Sequence, residues 1–90
     1  MREIPAVAEK RDRLDREMVK ALSHPIRVEI LEALQDRVAS PSELSREMDQ
    51  RLGVISYHAK TLVKSGCLEL VHAEPRRGSL ENFFAAARRP

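Results

Sequence analysis

Residues 40–66 read SPSELSREMDQRLGVISYHAKTLVKSG, and their punctuation predicts two helices joined by a tight turn. Ser40 followed three residues later by Glu43 is a capping box: the Ser40 hydroxyl accepts from the Glu43 backbone N–H, and the Glu43 carboxylate reaches back to the Ser40 N–H. Pro41 suits the first helical position, where its missing N–H would have no partner anyway. The helix that follows is short, with Leu44 and Met48 inward. Three residues, Asp49 to Arg51, lead into a longer helix that Gly66 stops by adopting a left-handed backbone.

On a wheel of about 100° per residue, Leu52, Ile55, Ala59, Leu62 and Val63 of the longer helix share one arc, the expected core side. Gly53, Val54, Tyr57, Lys60, Thr61 and Lys64 fall opposite, Arg51 stands at the helix start, and Ser56 and His58 sit on the two shoulders. Small residues permit close approach to a duplex, Tyr57 and Ser56 can meet base edges or phosphates, and lysines neutralise phosphates. The helix N-terminus adds partial positive charge. A solvated helix face accounts for Lys60 and Lys64 equally well. It accounts less well for Tyr57 beside Val54, in a chain whose aromatic residues are one Tyr and two Phe.

Upstream, residues 6–22 (AVAEKRDRLDREMVKAL) set Val7, Leu14, Met18 and Ala21 or Leu22 on one side of a heavily charged amphipathic helix. Ser-His-Pro at 23–25 breaks it, with Ser23 or His24 as the cap of a second helix running from Pro25 to about Asp36, Ile26, Ile30, Leu31 and Leu34 inward. Downstream, CLELVHA (67–73) reads as a strand, EPRRGS (74–79) as a turn, and LENFFAA (80–86) as the returning strand of a hairpin. Arg76 and Arg77 then occupy the hairpin tip, where they can straddle a phosphate backbone or enter a minor groove. Taken alone they would serve only solubility. The expected fold is mainly α, four helices followed by a two-stranded hairpin.

Ninety residues make one domain, marginal without a partner. The net charge of +2 is unevenly spread: 6 basic and 5 acidic side chains over residues 1–22, 3 and 6 over 23–50, and 7 and 3 over 51–90. A basic C-terminal half on a nearly neutral chain fits a surface that faces a polyanion. Cys67, the single cysteine, precludes an intramolecular disulfide and suits a reducing cytosol. Residues 1–20 are too charged for a signal peptide, and no apolar run approaches a membrane span. The expected localisation is cytoplasmic.

The segments ALSHPIRVEILEAL, SPSELSREM, VISYHAKTLVKSGCLELV and EPRRGSLENFF, in that order, resemble the ArsR-type winged helix-turn-helix transcriptional regulators over about residues 20–86. The resemblance implies a dimeric bacterial DNA-binding protein, its recognition helix the one starting near residue 52 and its wing the hairpin. Ser56-Tyr57-His58 matches the family's segment in that helix, with Ser56 and Tyr57 expected at the DNA and His58 either there or packed and hydrogen-bonded. Val54 departs from the polar residue often found at its position, which reduces base hydrogen bonding at that step.

Metal-sensing members of this family use cysteine clusters in the helix corresponding to the one after Ser40, or His and carboxylate ligands on a terminal helix. This sequence has neither, and His24, His58 and His72 lie on three elements without ligand spacing. No metal or other cofactor is expected. Ser56 and His58, two apart on one helix, do not face each other, and three scattered glycines make no phosphate loop, so no catalytic site is expected.

The reading that results is a repressor binding a palindromic operator in double-stranded DNA. The DNA-facing set is Arg51, Val54, Ser56, Tyr57, His58, Lys60, Thr61, Lys64, Arg76 and Arg77. Residues 1–22 form a dimerising helix through Val7, Leu14, Met18 and Ala21, with Phe83 or Phe84 extending the interface; residues 23–86 form the DNA-binding domain and 87–90 a tail. An effector or a protein partner has room beside this reading. The alternative is a winged-helix module whose recognition helix binds another protein.

Overall fold

The computed structural model describes Arg16 and residues 19–87. Val7, Leu14 and Met18 of the expected dimer stripe lie outside them. Residues 19–21 are helical and precede α1 (Pro25–Ala33), α2 (Pro41–Met48), α3 (Leu52–Lys64) and an antiparallel hairpin of β1 (Leu68–Arg76) and β2 (Ser79–Ala86). This is the expected winged helix-turn-helix.

Local chemistry accounts for most of the element boundaries. Ser40 Oγ accepts from the Glu43 N–H at 3.2 Å while the Ser40 N–H donates to Glu43 Oε1 at 2.9 Å, so the capping box is complete. At the far end of α2, Asp49 takes a left-handed conformation with φ 53°, and the Gln50 N–H donates to the Ser45 carbonyl, closing the turn into α3. Aspartate tolerates that region because of its short polar side chain. Gly66, at φ 79°, ends α3, and the Cys67 N–H reaches back to the Leu62 carbonyl at 2.8 Å.

Of the two expected caps of α1, His24 is the one in place. His24 holds the cap position with an extended backbone, but its side chain makes no capping bond. The Ser23 hydroxyl instead donates to the Lys20 carbonyl, at the end of the preceding helical turn. The helix also stops at Ala33, with Leu34 at ψ 10°, rather than running to Asp36.

The core joins every element. Ile30 and Leu34, Leu44, Ile55 and Leu62 are fully buried, and Ala21, Ala39, Ala59, Leu68 and Phe84 complete the cluster. Each large aliphatic side chain contributes about 1.5–3 kcal/mol relative to exposure. Two members of the predicted apolar arc are not part of it: Leu52 and Val63, neighbours on one side of the arc, are 48% and 37% exposed. Ala21 rather than Leu22 faces inward and packs within its own chain. Phe84 is likewise part of the core, and Phe83 stacks on His72 at 4.6 Å.

The wing is anchored at its base and free beyond it. Ala39 and Phe84 exchange two backbone hydrogen bonds, 3.1 and 2.9 Å, making a one-residue third strand. The Ala86 N–H adds a bond to the Leu34 carbonyl. An irregularity between Leu70 and His72 interrupts the ladder. The turn is shorter than EPRRGS: Glu74, Pro75 and Arg76 belong to β1, and only Arg77 and Gly78 lie between the strands. Their positive φ values, 45° and 85°, are those of a type I′ turn, which matches the twist of hairpin strands.

Among the described residues no helix is long and apolar enough to cross a membrane.

Candidate nucleic-acid interface

The outer face of α3 is open along its length. Tyr57 is 62% exposed, and Arg51, Lys60 and Lys64 are exposed, whereas Val54, Ser56 and Thr61 are half-buried. A Cβ at Gly53 would meet nothing within 4 Å, so the fold itself does not require glycine there. Its absence of a side chain leaves the start of the helix accessible. Thr61 Oγ1 donates to the Tyr57 carbonyl at 3.2 Å, so its proton is spent within the helix. The chemistry offered outward is one phenol, one guanidinium and two ammonium groups.

His58 lies half-buried on the inner shoulder. Its Nδ1 accepts from Arg27 Nε at 3.0 Å, and its ring meets those of His24 and Tyr57 at 5.4 and 5.3 Å. An Nδ1 that accepts carries no proton, so the neutral ring is protonated on Nε2. Burial first, then the charge of Arg27 and then that of His24, hold its pKa below the ordinary value. Of the two readings open for His58, the packed and hydrogen-bonded one describes its position.

Arg27 is the residue that sequence reasoning passed over. It is buried, 6% exposed, and besides His58 its Nη1 donates to the Ala21 and Lys20 carbonyls at 3.3 and 3.4 Å. It thus satisfies acceptors at the end of the first helix while gripping the recognition helix. Only its position on α1, one residue after Ile26 and three before Ile30, hinted that an arginine faced inward.

On the wing side of α3, an open groove of about 610 Å³ runs between the start of α2, the start of α3 and the hairpin, lined among others by Ser42, Arg46, Ser56, Arg76, Arg77 and Asn82. Ser42 and Arg46, four residues apart, share one face of α2. Neither was anticipated, although that spacing was readable. Arg76 and Arg77 are not equivalent: Arg77 occupies the tip, whereas Arg76 is the last residue of β1 and pairs through Nε with Glu81 Oε1 at 3.2 Å. Glu47 is also occupied, by a two-pronged bond from Arg37 at 2.7 and 2.9 Å that keeps its carboxyl below the usual range. Glu47 and Glu81 are therefore neutralised by neighbours, and Arg46, Arg51, Lys60, Lys64 and Arg77 form no ion pair among the described residues.

The model of a helix-turn-helix domain family matches residues 22–71, which span α1 to α3 and the first strand residues. No curated protein matches the chain by sequence. Among solved structures, reduced HlyU from Vibrio cholerae N16961 is similar with a TM-score of 0.73 and 22% identity, over 90% of this chain and 80% of that one. Mb0332 from Mycobacterium bovis, described as a homodimeric winged helix-turn-helix DNA-binding domain and a possible ArsR-family transcriptional regulator, gives 0.75 and 19% over 96% and 74%. Rv0081 from M. tuberculosis gives 0.60 and 32% over 84% and 72%. The family is that of a helix-turn-helix domain, and the fold is the one these winged helix-turn-helix structures share. With the family model lying over the helices that carry the open face, this chain belongs to the helix-turn-helix domain family and has the winged helix-turn-helix fold of the Mb0332 domain.

Proposed function

We propose that the protein is a repressor that binds a palindromic operator in double-stranded DNA as a homodimer, α3 entering the major groove and the wing tip meeting the backbone. The observation that carries this reading is the pairing of an exposed Tyr57 at the centre of α3 with an Arg77, at the tip of the adjoining wing, that forms no ion pair among the described residues. The phenol supplies groove complementarity and Arg77 a phosphate contact. Arg51, Ser56, Lys60 and Lys64 surround the phenol as contacts to phosphate or base edge, Thr61 can accept from a base edge, and Val54 supplies an apolar contact. Arg76 acts at lower effective charge because Glu81 holds it. His58 supports the helix from behind.

Dimerisation is assigned to residues 1–22. Val19, 72% exposed, and Leu22, 40% exposed, lie near the buried Ala21 in sequence and leave apolar side chains open for a partner to cover. The homodimeric Mb0332 domain is consistent with this assignment. A dimer presents two α3 helices to half-sites about one helical turn, roughly 34 Å, apart. Occupying such an operator represses by exclusion.

The experiment is capture of genomic fragments followed by affinity measurements on the enriched duplex at several salt concentrations. A log–log salt slope steeper than that of a single ion contact supports the reading. No duplex binding at low salt overturns it and favours a protein-interaction module.

A further inference from the structure

On the side of α3 away from the wing lies a second groove, about 360 Å³, lined by Lys20, Ala21, Arg27, Tyr57, Thr61, Lys64 and Ser65. Among the described residues its lining includes three cationic side chains and no carboxylate. Arg27 forms its floor: it is more than nine-tenths buried, its Nε and Nη1 are spent on His58 and two carbonyls, and its Nη2 has no hydrogen-bond partner among the described residues. Its described partners are all uncharged, so no described carboxylate pairs with it. Carbonyls at a helix end offset part of a cation, yet two ammonium groups remain above it. The Thr61 and Ser65 hydroxyls already donate to main-chain carbonyls, leaving the lysines, Arg27 Nη2 and the Tyr57 hydroxyl as donors.

We infer that this groove binds a phosphate group, held by Lys20 and Lys64 at its rim with Arg27 beneath. A helix seated in a major groove has a phosphodiester backbone on either side of it. The wing groove borders α3 on one side through Ser56, and the Lys20 groove borders it on the other through Thr61 and Ser65. The inference rests on the DNA-binding reading and extends it. The recognition helix is clamped by phosphates on both flanks, and the second clamp is built partly by the helix preceding α1. The same donors would hold a free phosphoryl ligand, which would then occlude the DNA face because Tyr57 and Lys64 line the groove.

The test uses the full chain with Lys20→Gln and with Lys20→Gln/Lys64→Gln. The contribution of Lys20 to the fold is through its carbonyl, so the single substitution leaves the Arg27 and Ser23 bonds in place. In a dimer, Lys20→Gln should reduce the magnitude of the operator salt slope by about 2, one phosphate per protomer. In parallel, inorganic phosphate is titrated against chloride at matched ionic strength while the amides of Ala21 and Ser65 are followed by NMR. A flattened salt slope supports the inference with DNA as the phosphate source. A saturable shift in the wild type that the double variant lacks, with the salt slope unaltered, supports it with a free phosphoryl ligand as the source. If Lys20→Gln leaves the slope unchanged and phosphate moves neither amide, the groove is a solvated surface and the inference is wrong. Wild-type protein without duplex affinity would instead overturn the DNA reading, leaving the phosphate titration to decide on the groove.

Discussion

Arg27 Nε donates to His58 Nδ1 across 3.0 Å, between residues 31 positions apart in the chain. One bond therefore ties α1, and through the Arg27 contacts to Lys20 and Ala21 the helix before it, to the recognition helix. It exists only while His58 is neutral.

Acid should loosen this joint. The folded-state pKa of His58 is depressed by burial, by Arg27 and by His24, so the unfolded chain binds its proton more readily. The contribution of His58 is fully present above its unfolded value of about 6.5 and is lost as pH falls through the lower folded value. His58→Asn retains an acceptor but does not titrate. Melting temperature measured between about pH 7.5 and 5 should fall less in the variant than in the wild type. Equal slopes would place the titration elsewhere.

Arg27→Met should be costly. The substitution keeps apolar volume but strips the donor from two main-chain carbonyls and from His58 Nδ1. Leaving buried acceptors unsatisfied costs about 1–3 kcal/mol. Urea unfolding is the measurement, and a change below about 0.5 kcal/mol, the range of an ordinary surface substitution, would mean that solvent reaches these acceptors.

At the start of α2, Ser40→Ala removes the hydroxyl that accepts from Glu43 N–H in a fully buried setting. A loss of about 1 kcal/mol is expected, up to about 2. The denaturant m-value should be unaffected, since the unfolded chain hardly changes.

Tyr57→Ala and Arg77→Ala should fail in different ways. Loss of the phenol should cost about 1–3 kcal/mol on the preferred operator and little on scrambled duplex. Loss of Arg77 should weaken binding to both and lower the salt slope by about 1 per engaged wing. Arg76→Ala should have a smaller effect than Arg77→Ala because Glu81 already neutralises it. An operator-selective loss for Arg77→Ala at constant slope would make the wing the reader instead.

The dimer proposal is checked by Leu14→Glu combined with Met18→Glu. Sedimentation should show a shift toward monomer. A dimer of unchanged strength would move the interface away from residues 1–22.

Features written in neighbouring residues were legible before any coordinates. The Ser40–Glu43 box, Pro25 and Pro41 at helix starts, the stop at Gly66 and the apolar spacing of Ile55, Ala59 and Leu62 each depend on contacts within about one helical turn, and all appear in the fold. The order of these elements carried the family resemblance, and the helical period alone placed Tyr57 at the centre of an open helix face.

Tertiary structure decided whatever depends on which distant groups meet. The Arg27–His58 bond, the Ala39–Phe84 bridge and the Arg76–Glu81 pair join residues 31, 45 and 5 apart on different elements or across a ladder whose register fixes them. Their existence follows from how the helices and hairpin pack. The same packing turned Ala21 and Phe84 inward, left Leu52 and Val63 at the rim, and shortened the wing turn to Arg77 and Gly78. A helical period determines which residues share a face, whereas the breadth of the covered face is set by the neighbour laid against it.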